Sequence, residues 1–243
     1  MNFDWLDYLY YFKWVLILSQ IFFIFLTALL FATQDLEKQL RGKRVLLLTA
    51  HPDDESMFFV PFLSYFAQEE VSLLCLTSGN AAGLGKVREK EVLAAGKLLK
   101  ITRVEVLDKE ELPDSMTVDW NPKEVLKALE AYLSSEKIDA IITFDDYGVS
   151  GHTNHRAINK ALKQSRSNFP HLQMWELEST SLFRKYLGLL DIIFSSRSPY
   201  AAVNINPVLA WKAMATHHSQ FVWYRKLFVV FSRYSYLNTF NPF

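Results

Sequence analysis

The first forty residues carry a long apolar stretch unlike anything later in the chain. Residues 14–34, WVLILSQIFFIFLTALLFATQ, contain no charged side chain. A helix of that length spans about 30 Å, roughly the hydrocarbon thickness of a bilayer. An aromatic belt precedes and begins it, made of Trp5, Tyr8, Tyr10, Tyr11 and Trp14. We expect residues 1–34 to be a membrane anchor with one transmembrane helix at about 14–34, since the apolar core of a cleaved signal peptide is usually shorter.

The cations beside this stretch indicate its orientation. Lys13 precedes the span, whereas four cations follow it closely: Lys38, Arg41, Lys43 and Arg44. The positive-inside bias then places residues 35–243 in the cytosol. A single cysteine, Cys75, agrees with a reducing compartment and excludes an intramolecular disulfide framework. Because it lies in the apolar run VSLLCL, we expect it to be a buried packing residue.

After the anchor, short apolar runs alternate with amphipathic segments. The pattern predicts strands at 44–48, 71–77, 103–107 and 139–144, and helices at 55–69, 86–100 and 122–135. This alternation favours an open, mostly parallel, Rossmann-like α/β sheet with helices on both faces. Further strands are predicted at 172–179, 191–195 and 201–205, before a helix near 207–217. Residues 35–243 are therefore expected to form one domain.

Two polar clusters follow predicted strands. AHPDDE, residues 50–55, comes after the first strand, and FDDYGVSGHTNH, residues 144–155, comes at the end of the fourth. Because open parallel sheets bind ligands outside the carboxyl ends of their strands, we expect both clusters at one edge. Their histidine nitrogens and carboxylate oxygens suit a divalent metal. Zinc with an open position and non-haem Fe(II) both accept such ligands, so the residue types leave the metal open.

The charge balance bears on the partners of the chain. Lys plus Arg equals Asp plus Glu at 26 each, so no global charge indicates a nucleic-acid partner. Nothing in the sequence indicates an obligate protein partner either. The expected partners are a membrane and a small-molecule or lipid-linked substrate.

Four motifs together resemble the N-acetylglucosaminylphosphatidylinositol de-N-acetylase family: AHPDDE, SGNAAGLGKVREKE, FDDYGVSGHTNH and THHSQ, in order between residues 50 and 220. That family shares a zinc deacetylase fold with the bacterial deacetylases of mycothiol and bacillithiol synthesis. The resemblance implies hydrolysis of GlcNAc-phosphatidylinositol to glucosaminyl-phosphatidylinositol and acetate, the second step of GPI-anchor synthesis. It also implies a single-pass endoplasmic reticulum protein with a cytosolic catalytic domain. The alternatives are a soluble N-acetylglucosaminide substrate, or a non-catalytic, membrane-tethered interaction subunit.

The resemblance also implies roles for individual residues in the first and third motifs. His51, Asp54 and His155 would bind zinc. Asp53 would be the general base, and His152 would act as an acid or as a hydrogen-bond donor to the developing oxyanion. Simpler interpretations exist, because the two aspartates can cap the following helix and the two later histidines can be surface residues.

The remaining predicted site residues carry weaker signals. Asn80 lies in a Gly-rich loop that can bind an anion, and Arg88 either pairs with a substrate phosphate or sugar hydroxyl or forms a surface pair with the glutamate three residues on. His217 either lines the pocket as a substrate-binding residue or ends a helix. Asp145 is expected to orient a histidine ligand from behind. Glu55 either supports the metal site or is a plain first-turn carboxylate.

The C-terminal residues 221–243 mix aromatic and basic side chains. Two interpretations of this segment stay open. It can rest on a lipid headgroup layer beside the active site. It can equally supply core residues and an edge strand.

Overall fold

The computed structural model describes residues 5–195, 198–204 and 206–243. Its first element is a helix, α1 (Trp5–Leu40), which is longer than the predicted 14–34 and continuous across position 34. Within it, Tyr8–Thr27 is long and apolar enough to cross a membrane. Most of its side chains are exposed, while Phe22, Phe25 and Leu26 pack against the globular part. The later turns join the globular part, where Leu36 and Leu40 lie in the core. The apolar stretch and the first core residues of the globular part therefore belong to one helix.

The strands and helices alternate along the chain. The strands are β1 (Val45–Thr49), β2 (Val71–Cys75), β3 (Arg103–Val106), β4 (Ala140–Phe144), β5 (Gln173–Leu177), β6 (Ala201–Val203) and β7 (Leu237–Pro242). The further helices are α2 (Asp54–Phe58), α3 (Val60–Tyr65), α4 (Gly85–Leu98), α5 (Pro122–Ser135), α6 (Gly148–Gly151), α7 (Thr153–Ser165), α8 (Leu182–Lys185), α9 (Ile192–Ser195), α10 (Pro207–Thr216) and α11 (Trp223–Phe231). Short 3-10 turns lie at Asn80–Ala82, Arg166–Asn168, Gly188–Asp191 and Arg233–Ser235.

The strands form one seven-stranded sheet in the order β3-β2-β1-β4-β5-β7-β6. The first five are parallel, whereas β7 is antiparallel to both β5 and β6. From β1 the chain builds outward through β2 and β3, and from β4 it builds outward on the other side. The order therefore reverses between β1 and β4, which is the position where such sheets bind ligands. The predicted Rossmann-like, mostly parallel sheet is confirmed.

Every residue of β1, β2 and β4 is buried, which explains their continuous apolar sequences. Alternate side chains serve opposite faces of the sheet, so Leu47 lies in one core cluster while Leu46 and Leu48 lie in the other. Cys75 is fully buried and free, as predicted. The central strands are thus covered on both sides and hold the site's backbone firmly.

Two predicted elements differ in the structure. The helix expected at 55–69 is split into α2 and α3 at Phe59, because Pro61 has no N–H to continue the hydrogen-bond ladder. The strand expected at 191–195 is wrong, since these residues end a 3-10 turn and form α9. The Asp191 carboxylate accepts hydrogen bonds from Arg184, and Arg233 lies against it, which fixes this turn inside the protein.

The C-terminal third otherwise follows the prediction. The strand expected at 172–179 is β5, and the helix expected near 207–217 is α10. The strand expected at 201–205 is β6 over residues 201–203, while Ile205 lies outside the described residues. The final segment contains both a helix, α11, and a strand, β7, which lies between β5 and β6 rather than at an edge.

Candidate metal and active site

A cavity of about 380 Å³ opens at the carboxyl ends of β1 and β4, where the strand order reverses. Both polar clusters predicted from the sequence reach it. Its wall is formed by side chains from the segments 51–58 and 149–155, by Arg88 and Asp114, and by four residues of the C-terminal third: Lys185, Tyr186, Arg225 and Phe228. The predicted meeting of two distant segments at one edge of the sheet is therefore present.

Three side chains turn their donor atoms toward one point. Nε2 of His155 lies 3.3 Å from Nδ1 of His51. The carboxylate of Asp54 lies 3.2 Å from His155 Nε2 and 3.6 Å from His51 Nδ1. All three side chains are buried. The residues that the resemblance assigned to zinc are thus together, with two nitrogens and one carboxylate within reach of a single ion.

The outer nitrogens of the two imidazoles, meaning those that face away from this point, each lie beside a hydrogen-bond acceptor. They are Nε2 of His51 and Nδ1 of His155. His51 Nε2 lies 3.0 Å from the amide oxygen of Asn154 and 3.2 Å from Asp114. His155 Nδ1 lies 3.0 Å from the carbonyl oxygen of Gly148. Such acceptors hold the ring hydrogens on the outer nitrogens, which leaves the inner lone pairs facing one another. This donor arrangement fits a metal ion.

The charges around the cluster also favour a cation. Burial lowers the pKa of His51, but Asp114 and Asp54 outweigh it and raise the pKa to about 10. Burial raises the pKa of Asp54, yet His155 and His51 hold it well below its usual range. A site that retains a proton so strongly is one where a divalent cation can replace that proton.

His152 differs from the other two histidines. It is the N-cap of α7, and its Nδ1 accepts a hydrogen bond from the Asn154 backbone N–H at 3.2 Å. Burial, followed by the charges of His51 and His155, lowers its pKa to about 4. The neutral ring therefore carries its hydrogen on Nε2. Although one nitrogen from each histidine lies within 4.8 Å of the others, this tautomer suits His152 as a hydrogen-bond donor rather than as a third imidazole ligand.

Asp53 lies at the start of α2 in a strained backbone conformation, with φ of 125°. Its side chain makes no capping hydrogen bond, so helix capping does not explain it. Instead the carboxylate lies 3.1 Å from Arg88 Nη2 and accepts a hydrogen bond from Arg225. Its backbone N–H donates to Glu55 at 3.1 Å. Strain and two arginines together fix this carboxylate at the cavity wall.

His217 and Glu55 form a fully buried pair behind the cavity. His217 Nε2 lies 2.7 Å from Glu55 Oε1, while Glu55 Oε2 accepts the Asp53 N–H. Burial lowers the pKa of His217, but the charge and hydrogen bond of Glu55 raise it overall. The structure does not place His217 at the wall of the cavity, where a substrate-binding role was predicted; it ends α10 and contacts Glu55. Glu55 supports the backbone of the predicted base.

Arg88 is buried and is not the surface pair considered as one alternative. It donates to the carbonyl oxygens of Pro52 at 2.6 Å and Gly79 at 2.9 Å, and lies 3.6 Å from Asp114. Gly79 has φ of 70°, and a Cβ there would lie 2.4 Å from Arg88 Nη1, so glycine is required. Arg88 lines the cavity.

Asn80 is exposed, and its side chain accepts the Gly85 N–H at 2.9 Å. It lines a separate hollow of about 320 Å³ rather than the cavity with the histidines. The structure therefore does not bring Asn80 to the predicted site. Its contact with Gly85 shapes the loop before α4.

Asp145 acts on a histidine only through the backbone. Its carboxylate accepts hydrogen bonds from Gly148 N–H at 2.8 Å and from Ser179 N–H and Oγ, each at 2.6 Å. The Gly148 carbonyl in turn meets His155 Nδ1. A Cβ at Gly148 would lie 2.5 Å from that of His155, so only glycine fits there. Asp145 therefore positions the loop whose Gly148 carbonyl contacts the histidine.

Sequence reasoning missed four residues at this site: Asn154, Asp114, Lys185 and Arg225. Asn154 lay inside the third motif, where its position between two histidines was an available signal. Asp114 comes from an irregular loop, and no spacing pattern marks it. Lys185 and Arg225 enter from α8 and α11; burial lowers the pKa of Lys185, whose Nζ donates to the Val149 carbonyl.

The site combines two histidines and a carboxylate with an aspartate held by arginines and a neutral imidazole. On a doubly wound sheet, this arrangement defines a candidate metal-dependent hydrolase site.

Residues 46–165 match the family model described as PIG-L: GlcNAc-PI de-N-acetylase. The chain is 36% identical over 211 residues to the N-acetylglucosaminyl-phosphatidylinositol de-N-acetylase of Bos taurus, covering 82% of this chain and 83% of the relative. It is 36% identical over 213 residues to a probable enzyme of the same name from Schizosaccharomyces pombe, covering 82% and 86%. The chain belongs to the PIG-L family of GlcNAc-PI de-N-acetylases.

Solved structures with lower sequence similarity share the fold. The N,N'-diacetylchitobiose deacetylase from Pyrococcus horikoshii superposes with a TM-score of 0.63 at 20% identity, covering 88% of each chain. The zinc-inhibited form of teicoplanin deacetylase Orf2 gives a TM-score of 0.59 at 14% identity, covering 82% of this chain and 97% of the other. At these identities the likeness describes the architecture alone.

Proposed function

We propose that this protein hydrolyses the N-acetyl group of GlcNAc-phosphatidylinositol to give glucosaminyl-phosphatidylinositol and acetate, using a bound divalent metal. Family membership and the names of its relatives support the substrate. The observation that carries the proposal is the convergence of His51, Asp54 and His155 beside Asp53 in one cavity. A volume of about 380 Å³ is in the range of small-molecule sites.

The metal would be held by His51 Nδ1, His155 Nε2 and the Asp54 carboxylate. Zinc is the metal we propose from the family resemblance, and the ligand set also suits Fe(II). A divalent ion there would supply a Lewis acid for the acetyl carbonyl and for the attacking water. Asp54 is fixed for this task, because one of its oxygens accepts the backbone N–H of His51 at 2.8 Å and of Ala50 at 3.1 Å.

Asp53 is the proposed general base. Its carboxylate lines the cavity and does not cap the helix. Because both arginines contact Oδ2, Oδ1 is the oxygen placed to accept a proton from water. The guanidinium groups of Arg88 and Arg225 hold it from two sides. These contacts fix the direction in which the carboxylate points, which is what proton transfer over a hydrogen-bond distance requires.

His152 is the proposed donor to the carbonyl oxygen as negative charge develops on it. Its Nδ1 is occupied by the Asn154 N–H, so Nε2–H is the group available to the substrate. A fixed donor of this kind typically contributes 10²- to 10³-fold to the rate, about 3 to 4 kcal/mol. The proton gained by Asp53 can then return to the departing amine.

The proposed location is the endoplasmic reticulum membrane, with the catalytic domain on the cytosolic side. The exposed apolar stretch Tyr8–Thr27 supports a single transmembrane helix. The cations after the span support the cytosolic orientation. An anchored active site has direct access to a lipid-linked sugar in the same membrane.

The test is acetate release from GlcNAc-phosphatidylinositol by the purified full chain in phospholipid nanodiscs, compared with the Asp53→Asn variant. We expect release by the wild type and little by the variant, which keeps the size of the side chain. A parallel reaction with water-soluble N-acetylglucosamine checks the substrate. No release from the lipid by metal-loaded wild type, or equal rates on both substrates, would overturn the proposal.

A further inference from the structure

The C-terminal third exposes large apolar side chains next to the cavity. On and after α8 these are Leu182, Phe183, Leu190 and Phe194, and on α11 they are Trp223, Tyr224, Leu227, Val230 and Phe231. We name these nine residues the apolar face. Scattered exposed apolar residues are normal, but a group of this size marks an interaction surface.

The two sides of α11 have different surroundings. Its inner side places Arg225 and Phe228 in the cavity wall and buries Val229. Its outer side carries Trp223, Tyr224, Leu227, Val230 and Phe231, spaced by three and four residues. A helix whose outer, exposed side is apolar suits contact with lipid better than contact with water.

The two parts of the apolar face are joined to each other and share the cavity wall. The Tyr186 ring packs edge-on against Phe228 with centroids 6.2 Å apart. Gly188 lies beside the Phe231 carbonyl, where an added Cβ would be in ordinary contact at 3.5 Å. Tyr186 and Lys185, at the end of α8, line the cavity as Arg225 and Phe228 do. The cavity therefore lies directly behind this face.

The apolar face continues into the helix that can span the membrane. Phe22, Phe25 and Leu26 of α1 pack against a small cluster made of Ile192, Ala201 and Leu237. This contact lies at the last turns of the exposed stretch Tyr8–Thr27. At 1.5 Å per residue, position 22 is about 7 Å inside the end of that stretch. Interfacial helices bury their apolar side to a similar depth, about 5–10 Å.

We propose that the apolar face is a second membrane-contact surface, which inserts into the headgroup and upper acyl region of the bilayer and holds the cavity mouth there. The occupant is the lipid bilayer itself, because the face is continuous with a membrane-spanning helix at the matching depth. The inference rests on the proposed membrane placement of α1 and not on the proposed chemistry. It gives a lipid-linked sugar a path into the cavity without leaving the membrane.

The test uses single cysteines in the full chain reconstituted into phosphatidylcholine vesicles. Cys75 is fully buried, so an added surface cysteine can be labelled selectively with a fluorophore. The test variant is Leu227→Cys. The matched control is Leu93→Cys, since Leu93 is also a helical leucine and is 53% exposed against 50% for Leu227. Leu93 lies on α4, which packs on β3 at the sheet edge opposite β6, as the closeness of Gly96 to Val104 shows.

The readout is quenching by lipids that carry a nitroxide near the top of the acyl chain, with Leu18→Cys on α1 reporting the span. Because an interfacial helix lies about 5–10 Å into the bilayer, we expect at least about twofold stronger quenching at 227 than at 93. Equal quenching at 227 and 93, with the probe at 18 quenched, would overturn the membrane-contact surface. An unquenched probe at 18 would overturn it too, by removing α1 from the membrane.

Deacetylase activity is measured separately on the same labelled chains. Quenching at 227 without any acetate release would leave the membrane surface standing and count against the proposed function. Acetate release without quenching at 227 would support the proposed function and overturn the membrane-contact surface.

Discussion

The cavity has two walls that are built differently. The sheet wall consists of side chains in the two segments that follow β1 and β4, namely His51, Asp53, Asp54, His152 and His155. The helical wall, Lys185, Tyr186, Arg225 and Phe228, reaches the same cavity from α8 and α11. The sheet wall is held by strands buried on both faces, whereas the helical wall has one side open to its surroundings. We infer that the sheet wall performs the chemistry and the helical wall positions and admits the substrate.

The largest loss is expected for Asp53→Asn in the sheet wall. Removing a general base typically lowers kcat by about 10²- to 10⁴-fold. The measurement is the initial rate of acetate release from GlcNAc-phosphatidylinositol in nanodiscs. Thermal unfolding of the same sample serves as the folding control. A rate close to that of the wild type would remove Asp53 from the mechanism.

A slightly smaller loss is expected for His152→Ala. Loss of a donor to the developing oxyanion lowers kcat by about 10²- to 10³-fold and leaves KM nearly unchanged. Steady-state rates at varied substrate density in the nanodisc measure both constants. An increase in KM with an unchanged kcat would instead assign His152 to substrate binding.

In the helical wall, Arg225→Gln is expected to lower kcat by about 10- to 100-fold, the range seen when a partner that orients a site residue is removed. Asp53 keeps Arg88 as its second partner, which limits the loss. The neighbouring Lys226→Gln is the control, since Lys226 is exposed and does not line the cavity. Equal effects of both substitutions would mean that Arg225 acts only through general charge.

The two walls also differ in how far the sequence predicted them. The sheet wall followed from the sequence, because apolar runs locate the strands and parallel strands bring their carboxyl ends to one edge. His51, Asp54 and His155 meet there as expected. The sequence could not place Arg225, since its route to Asp53 depends on how α11 packs across the finished sheet. The strand predicted at 191–195 is wrong because the partly exposed Arg184 and the buried Arg233 pair with Asp191 and stabilise a helical turn there.

The buried pair of His217 and Glu55, which lies behind the sheet wall, is expected to stabilise the fold. His217→Ala leaves the Glu55 carboxylate buried without its partner, and breaking a buried pair costs about 3–5 kcal/mol of unfolding free energy. Denaturant unfolding of the detergent-solubilised chain measures it. The Glu55→Gln variant retains a hydrogen-bond acceptor for the Asp53 N–H and should lose less. Equal stabilities of His217→Ala and the wild type would contradict a structural pair.

The smallest effect is expected at the amino ends of β1 and β4, away from the cavity. Arg44 and Asp139 precede β1 and β4 and form a two-point ion pair. The hydrogen bonds from the Arg44 side chain and backbone lower the pKa of Asp139 to about 2. Because the unfolded value is about 3.9, the pair stabilises the fold above that pH and loses its effect as the pH falls toward 2.

Asp139→Asn should therefore lower the Tm by no more than about 2 °C near neutral pH, as expected for a half-exposed pair, and the difference should shrink on acidification. Acetate release should not change. A loss of activity in this variant would show that the amino ends of the strands also serve the site, contrary to the division described above.

Metal content of the purified protein tests the account most directly. Elemental analysis after purification without chelators should find one divalent ion per chain in the wild type and in His152→Ala. The ion should be absent from Asp54→Ala and His155→Ala, each of which removes one of the three converging ligands. Metal retained in Asp54→Ala but lost from His152→Ala would contradict the proposed ligand set, and with it the roles assigned to every neighbouring residue.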